Sequence, residues 1–145
     1  MSRPLSRNAT MRLLVEQLGR HRPRWLPVKT TVQVIRRLIA RAFPAGSGCI
    51  FFDGTMNNCG YVSLNVWLHG DRTKVYAHRL VCQLAHNGAD IPRWMEVAHE
   101  KCDCPPCIHP GHLELQRRRF NRAKSAQNTN AKKAARRAAE ERQAA

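Results

Sequence analysis

The sequence predicts an α+β fold in which a small, metal-stapled core carries an antiparallel strand ribbon and basic helical extensions at both ends. Three observations predict it. Apolar residues recur at helical spacing before residue 49, short runs of strand-forming residues follow, and cysteines and histidines gather in a proline-rich stretch around residue 105. We therefore divide the 145-residue chain into a basic helical N-terminal extension (1–48), a central domain (49–127) and a basic, alanine-rich tail (128–145).

Two helices are predicted in the N-terminal extension. The first ends at Gly19 and the second spans residues 31–42. Arg36, Arg37 and Arg41 lie largely on the face opposite the apolar stripe of the second helix. These side chains either face solvent or bind a polyanion, and solvent exposure is the favoured interpretation for any single arginine.

Strands are predicted in the first part of the central domain. They follow a cluster of breaking residues at 44–48 and cover residues 49–52, 61–68 and 73–77. The sequence His69-Gly70-Asp71 predicts a hairpin turn between the last two. The resulting antiparallel ribbon is basic, and either it enters the major groove of DNA or it only forms the floor of the core.

In the second half of the chain, two helices are predicted, one on either side of two strands. The predicted elements are a helix (78–87), a strand (95–98), a returning strand (112–115) and a helix from residue 117 to about residue 127. Gly88 is the expected C-cap of the first of these helices. The tail after residue 127 is short for an isolated helix, so it either becomes ordered on a partner or is a solubilising end.

Among the overall properties of the sequence, its net charge gives the strongest indication of function. The chain carries 25 Lys and Arg against 10 Asp and Glu, a formal net charge of +15. Such a balance predicts a polyanionic partner, most often nucleic acid, and the alternative is a basic protein without one. Three arginines that open the last helix oppose its macrodipole, which indicates an anionic neighbour. The candidate nucleic-acid-binding residues are Arg72, Lys74, Arg117, Arg118, Arg119, Arg122 and Lys124.

The cysteines are expected to stay reduced. No run approaches the roughly 18 apolar residues of a membrane span, and the apolar stretch near residue 14 is cut short by Glu16 and Gln17, unlike a signal peptide. We therefore expect a cytoplasmic protein without a membrane partner. In a reducing compartment, clustered cysteines favour metal binding over disulfides.

Metal ligands are predicted in one proline-rich loop. Cys102 and Cys107 are separated by four residues, and four more separate Cys107 from His112. Thiolates and imidazoles at such intervals suit a structural zinc ion. The loop prolines exclude helix, and the loop has little apolar surface of its own, so a metal would supply its order.

Two further side chains flank this loop. His99 ends the strand before it, and Asn121 lies one turn into the helix after it. This order of strand, loop, strand and helix aims an imidazole and an amide oxygen at a common point. Phosphodiester hydrolysis uses such groups, because a neutral imidazole accepts a proton from water and an oxygen ligand helps to hold a hard cation such as Mg²⁺.

These residues resemble a known family in their order and spacing. The matching set is Cys49, Gly60-Tyr61, Ala77-His78-Arg79-Leu80, His99, Cys102-x4-Cys107-x4-His112-Leu113 and Asn121. It is similar to the HNH endonucleases of phage and mobile-intron type, which are related to the His-Cys box homing endonucleases within the ββα-metal (His-Me finger) nucleases. The resemblance covers residues 49–125 and implies a metal-dependent DNA endonuclease, acting in a phage-infected bacterium, that leaves 5′-phosphate and 3′-hydroxyl ends.

The resemblance also implies roles for individual residues. His99 matches the general base and Asn121 the ligand of the catalytic Mg²⁺. Arg79 matches a family arginine that either contacts the scissile phosphate or braces the fold. The implied structural zinc ligands are Cys49, Cys102, Cys107 and His112. Double-stranded DNA is the implied partner, and a homodimer would suit a palindromic target.

The sequence departs from the family between the histidine and the first loop cysteine. Glu100 and Lys101 separate His99 from Cys102, where the family usually has one residue. This departure supports an alternative function, a non-catalytic zinc-stabilised protein that binds or regulates DNA. A third hypothesis is an RNA-directed or structural phage component.

Other cysteines and histidines compete for the predicted zinc. Cys104 and His109 stand where the family commonly has asparagine, and Cys59 is the rival of Cys49. No cysteine follows Cys107, so the second zinc site of the His-Cys box enzymes has no counterpart.

Overall fold

The computed structural model describes residues 3–86 and 88–144 and shows a mixed α+β fold with small antiparallel sheets. The helices in this part of the chain are α1 (Arg7–Gln17), α2 (Val28–Arg41), α3 (Ala77–Ala85) and α4 (Arg118–Ala144). The strands are β1 (Ala42–Pro44), β2 (Ile50–Phe52), β3 (Thr55–Met56), β4 (Val62–Leu68), β5 (Asp71–Tyr76), β6 (Met95–His99) and β7 (Leu113–Arg117). None of these helices combines the length and the apolar character needed to cross a bilayer.

The two N-terminal helices form where helical periodicity predicts them. Ser6 caps α1 by accepting a hydrogen bond from the backbone N–H of Ala9 at 3.1 Å. Helix α2 begins at Val28, three residues before the predicted start, because Pro27 with φ −58° already has a helix-compatible φ and its carbonyl accepts from Thr31 at 2.8 Å.

The predicted hairpin is confirmed between β4 and β5. His69 and Gly70 form its two-residue turn with φ of 51° and 84°, both in the left-handed region that such turns require. Strand β5 therefore begins at Asp71, earlier than expected. Strand β4 is largely buried and forms one wall of the core, whereas Arg72 and Lys74 on β5 are exposed.

Strand β1 is not predicted, and it begins at the expected end of the second helix and ends at Pro44, the first residue of the breaker cluster. Residues 42–44 pair antiparallel with β2, so that Ala42 is opposite Phe52. Pro44 is tolerated because it ends this short strand in a two-stranded sheet. The core joins both sides of the predicted 48/49 boundary, since Leu14 and Leu38 of the helices belong to the same buried cluster as the β2 residues.

Helix α4 runs over 27 residues and is much longer than predicted. It continues through the tail, although Ala145 lies outside the described residues. Alanine, lysine and arginine are strong helix formers, and an Arg136–Glu140 pair at 3.2 Å adds support at i, i+4 spacing. None of its described residues is buried, so intrinsic propensity rather than packing maintains its second half.

The predicted order of strand, loop, strand and helix is present. Strand β6 pairs antiparallel with β7, which places His99 opposite Leu113, and α4 follows β7 directly. The intervening loop docks on β2, where the Ile108 N–H donates to the Ile50 carbonyl at 2.7 Å. This contact places the loop next to Cys49, the residue that directly precedes β2.

Candidate metal centre and adjoining cleft

Three thiols and one imidazole converge at the junction of β2 and the loop. The ligand atoms of Cys49, Cys102, Cys107 and His112 all lie within 4.8 Å of one another. His112 Nδ1 is 3.5 Å from Cys107 Sγ and 3.9 Å from Cys49 Sγ. Tetrahedral zinc with ordinary bond lengths separates such atoms by about 3.5 Å. The Cys₃His group can therefore hold a metal such as zinc, and its members are the four residues predicted from the sequence.

Local structure positions three of these ligands. Cys49 follows a tight turn in which Ser47 and Gly48 have φ of 61° and 72°, and Cys107 is bridged to β2 opposite Phe51. His112 ends a short 3₁₀ turn that starts at Pro110. That turn is tied to α3, because the ring of His86 donates from Nε2 to the Pro110 carbonyl at 2.6 Å.

The electrostatics of the group favour a cation. Burial raises the pKa of Cys107 to about 11, and burial together with the neighbouring Cys107 raises the pKa of Cys49 strongly. These two thiols are poor thiolates by themselves, whereas a divalent cation favours the deprotonated form. The donor set of sulfur and imidazole nitrogen is also the one that zinc prefers.

The competing residues lie outside this group. Cys59 is exposed, and its N–H donates to the side chain of Asn57 at 2.9 Å. Cys104 is half-buried beside the group without belonging to it. His109 stacks its ring on that of His112 at 4.3 Å, and its Nδ1 accepts from the Gly111 N–H at 2.9 Å, so it braces the loop.

His99 and Asn121 face one small cleft of about 50 Å³. The remaining lining residues are Ala98, Glu100, Asp103, Lys124, Ser125 and Asn128. Glu100 accepts from Lys124 Nζ at 2.7 Å and from Gln116 at 2.6 Å, and these bonds lower its pKa. The cleft thus combines the imidazole of His99 and the ammonium group of Lys124 with several side-chain oxygen atoms.

The contact of His99 with the metal loop determines which nitrogen of its ring is free. Nε2 lies 3.0 Å from the Cys107 carbonyl, which can only accept, so Nε2 carries the hydrogen. Burial lowers the pKa of His99, although the bond to Cys107 opposes this. The ring is therefore neutral near pH 7, and its Nδ1 is the proton acceptor.

Glu96 orients the amide of Asn121. Asn121 Nδ2 donates to Glu96 Oε2 at 2.9 Å, which turns the amide oxygen to the opposite side. The other carboxylate oxygen accepts from Arg118 Nε at 2.9 Å and lies 4.0 Å from Arg122 Nε. The anionic neighbour expected for the arginines at the start of α4 is thus partly supplied by the chain itself.

Two rings, those of Tyr61 and His78, pack near the ring of His99. The rings of Tyr61 and His78 stack at 4.8 Å, and the His78 ring is 5.3 Å from that of His99. His78 is buried, its pKa is lowered to about 3 mainly by burial, and its Nδ1 has no hydrogen-bond partner among the described residues. The neutral His78 ring packs against the ring of His99.

Several predicted site residues lie elsewhere. Arg79 lines a separate cavity of about 330 Å³ together with Trp25, Lys74 and Asp90, so the structure does not bring it to the cleft. Arg72 lines a third cavity of about 340 Å³, which it shares with Arg37 and Arg41 of α2. Neither Arg72 nor Lys74 touches the cleft, and both remain candidates only for phosphate binding at a distance.

The basic residues predicted at the end of β7 and in α4 divide into two sets. Arg118, Arg122 and Lys124 pair with carboxylates, as described above. Arg117 and Arg119 instead lie over aromatic rings, with guanidinium-to-centroid distances of 5.9 Å to Trp94 and 4.7 Å to Phe120. Only the second set keeps its charge available to a partner without first breaking an ion pair.

Sequence reasoning missed Asp103 and Asn128 as cleft residues and Glu96 as the hydrogen-bond partner of Asn121. A signal existed for Glu96, because it is the only charged residue in the apolar strand β6. Asp103 has φ 47°, and its carboxylate accepts from Asn128 at 3.4 Å across 25 positions, a contact that no local pattern indicates. Comparison of the chain with protein-family models, curated proteins and solved structures finds no match.

Proposed function

We propose that the protein is a metal-dependent DNA endonuclease of the HNH (His-Me finger) type, which hydrolyses phosphodiester bonds to leave 5′-phosphate and 3′-hydroxyl ends. One observation carries the proposal. His99 and Asn121 line the same cleft, and each donates one orienting hydrogen bond, His99 to the Cys107 carbonyl and Asn121 to the Glu96 carboxylate. A base and an oxygen ligand are thereby preorganised side by side.

His99 acts as the general base. Its Nδ1 accepts a proton from a water molecule, whose oxygen attacks the phosphorus while the bond to the 3′ oxygen breaks. The leaving 3′ oxygen takes a proton from solvent, so atoms and charges balance. The Nε2 bond to Cys107 stabilises the imidazolium that forms, because the carbonyl dipole faces the charged ring.

Asn121 offers Oδ1 as a ligand for a hard divalent cation such as Mg²⁺, which accepts few protein ligands and keeps several waters. When bound, the cation would supply charge stabilisation at the leaving oxygen. Cys49, Cys102, Cys107 and His112 would hold zinc, which would order the loop that aims His99. The net charge of +15 supports double-stranded DNA as the partner through salt-sensitive phosphate contacts.

Plasmid cleavage tests the proposal. His99→Ala should lower the rate of supercoiled-plasmid cleavage in magnesium by about 10²-fold or more, the usual contribution of a general base. Asn121→Ala should act similarly but regain activity as magnesium is raised. His21→Ala and Asn130→Ala, at exposed positions away from the cleft, are the matched controls and should cleave like wild type.

DNA binding and zinc content should stay unchanged in both cleft variants. If purified His99→Ala cleaves as fast as wild type, while a mock preparation from cells without the gene does not cleave, His99 is not the base.

A second candidate is a non-catalytic zinc-stabilised DNA-binding protein. The 2.7 Å Lys124–Glu100 contact in a cleft of only about 50 Å³ favours it, as does the extra residue after His99. Wild-type protein that shifts DNA in a gel but leaves plasmid intact in magnesium would establish this alternative. Tighter binding to RNA than to duplex DNA across a salt titration would instead indicate an RNA-directed role.

A further inference from the structure

A solvent-exposed group of aromatic and arginine side chains lies beside the start of α4. We call it the aromatic–arginine patch, and its members are Arg93, Trp94, Arg117, Arg119 and Phe120. Trp94 is 59% exposed and Phe120 57% exposed, so two large aromatic side chains face solvent in this one patch. Arg93, Trp94, Arg117 and Arg119, with Arg118, line a single open cavity of about 700 Å³.

The patch is held in place by the strand pair. The Arg118 N–H donates to the Trp94 carbonyl at 2.9 Å, and Arg118 Nη1 donates to the Arg93 carbonyl at 3.5 Å. The guanidinium groups of Arg117 and Arg119 lie over the rings of Trp94 and Phe120. Arg93 and Trp94 lie in the turn that leads into β6, and these contacts tie that turn to the start of α4.

The patch adjoins the cleft directly. Phe120 immediately precedes Asn121 in α4, and Glu96 bonds both Asn121 and Arg118, a residue of the cavity wall. The patch and the cleft are thus linked through Glu96 and the first turn of α4.

We propose that the aromatic–arginine patch binds an unpaired nucleotide, with Trp94 stacking on its base and Arg93, Arg117 and Arg119 holding the flanking phosphates. The proposal rests on the proposed function in taking DNA as the ligand, and it adds a preference for single-stranded or locally unpaired DNA next to the cleavage point. Every base has an aromatic face, so stacking on Trp94 requires no particular sequence.

Charge argues against a second copy of the chain as the occupant. Self-association through this surface would bring together three arginines from each copy, without a matching carboxylate in the patch. A nucleotide supplies both an aromatic plane for Trp94 and negative charge for the arginines. Duplex DNA supplies only the charge, because its bases are stacked on each other.

Binding measurements without added magnesium test the preference, since they do not depend on cleavage. The probes are a single strand of about 20 nucleotides, its matched duplex and the same duplex with one bulged base, compared by fluorescence anisotropy. Trp94→Ala should weaken binding to the single strand and the bulged duplex by roughly 5- to 150-fold, the usual effect of losing one stacked base. Binding to the matched duplex should change by less than about twofold.

Two variants control for folding and for nonspecific loss of an aromatic ring. Trp94→Phe keeps an aromatic face and should retain most of the affinity. Trp67→Ala removes another exposed tryptophan, 63% exposed on β4 opposite Arg72, and should bind all three probes like wild type.

The stacking proposal is overturned if Trp94→Ala binds the three probes as wild type does, or if Trp67→Ala loses the same affinity. It is also overturned if Trp94→Ala changes only the oligomeric state in sedimentation and not DNA affinity. Failure of the proposed function looks different, because wild type would then bind no DNA probe, or would bind DNA normally and never cleave it.

Discussion

Glu96 organises the candidate cleft through a single carboxylate. One oxygen receives the amide hydrogen of Asn121, and the other receives Arg118 at the same distance of 2.9 Å. The first contact orients a proposed metal ligand, and the second balances charge at the start of α4. Glu96 is therefore a positioning residue, since it acts on Asn121 and not on the DNA.

We predict that Glu96→Ala lowers magnesium-dependent cleavage by about 10- to 100-fold, as is usual when the partner of a metal ligand is removed. The magnesium concentration for half-maximal rate should rise, because the Asn121 amide loses its orientation. Glu96→Gln still offers an accepting oxygen to Asn121 and should retain a larger part of the activity.

Cleavage assays over a magnesium titration measure this effect, with Glu114→Ala on the exposed side of β7 as the control. A purely structural role for Glu96 would lower the melting temperature and the maximal rate without moving the magnesium requirement.

Sequence alone predicts the candidate site residues only where their chemistry is unusual. Cysteines and histidines at close spacing are rare enough to indicate a metal group, and His99 and Asn121 are located by their place relative to it. Glu96 and Tyr61 have ordinary residue types, and their partners are 25 and 38 positions away (121 − 96 and 99 − 61). Only the tertiary fold selects such partners.

At the scale of elements, the loop between β6 and β7 depends on the Cys₃His group. Apart from its bridge to β2 and the bond of His86 to Pro110, it is a proline-rich segment with little regular structure. The bound metal should therefore contribute directly to the stability of the folded protein.

We predict that Cys102→Ser abolishes stoichiometric zinc binding and destabilises the protein. If the variant binds metal a thousandfold more weakly, the free energy of unfolding falls by about 4 kcal/mol at a metal concentration about a thousandfold above the wild-type Kd. Metal analysis and urea unfolding with added zinc measure both quantities.

Cys59→Ser is the control, because Cys59 is exposed and outside the group, and it should match wild type in both measurements. Unchanged stoichiometry and stability in Cys102→Ser would mean that Cys102 is not a ligand.

Periodicity predicts most elements, and the two main misses have separate physical causes. Strand β1 exists because β2 offers it a partner, and pairing can recruit residues such as Pro44 that local propensity excludes. The sequence predicts that helix α4 ends near residue 127, because a short isolated helix is marginal in water. It extends because the tail continues an existing helix and needs no new nucleation.

At the scale of the whole molecule, the end of α4 is a basic segment that lies outside the buried core. The part of α4 after residue 130 carries five cations and two carboxylates, a net of +3 (5 − 2), and it is almost entirely exposed. Its cations are Lys132, Lys133, Arg136, Arg137 and Arg142. This segment can therefore contribute to DNA affinity while contributing little to folding.

We predict that removing residues 131–145 shifts the melting temperature by no more than about 2 °C, as expected for exposed residues that pack on nothing. The slope of log K against log salt for duplex DNA should become shallower by about 0.9 for each lost phosphate contact. Anisotropy titrations between about 50 and 200 mM salt measure this slope.

A full-length variant with the five cations changed to Gln separates charge from chain length and should show the same shallower slope. If both variants keep the wild-type slope, the tail is a solubilising end.

The path of the chain to the Cys₃His group has a consequence for biosynthesis. Cys49 and His112 are 63 positions apart, although their ligand atoms lie 3.9 Å apart. During translation, Cys49 leaves the ribosome long before its three partners exist, and closing so long a segment carries an entropic penalty until they arrive. Metal binding by this group would therefore be a late event, and a zinc-starved cell would accumulate finished polypeptides in which the four ligands are not yet joined by an ion.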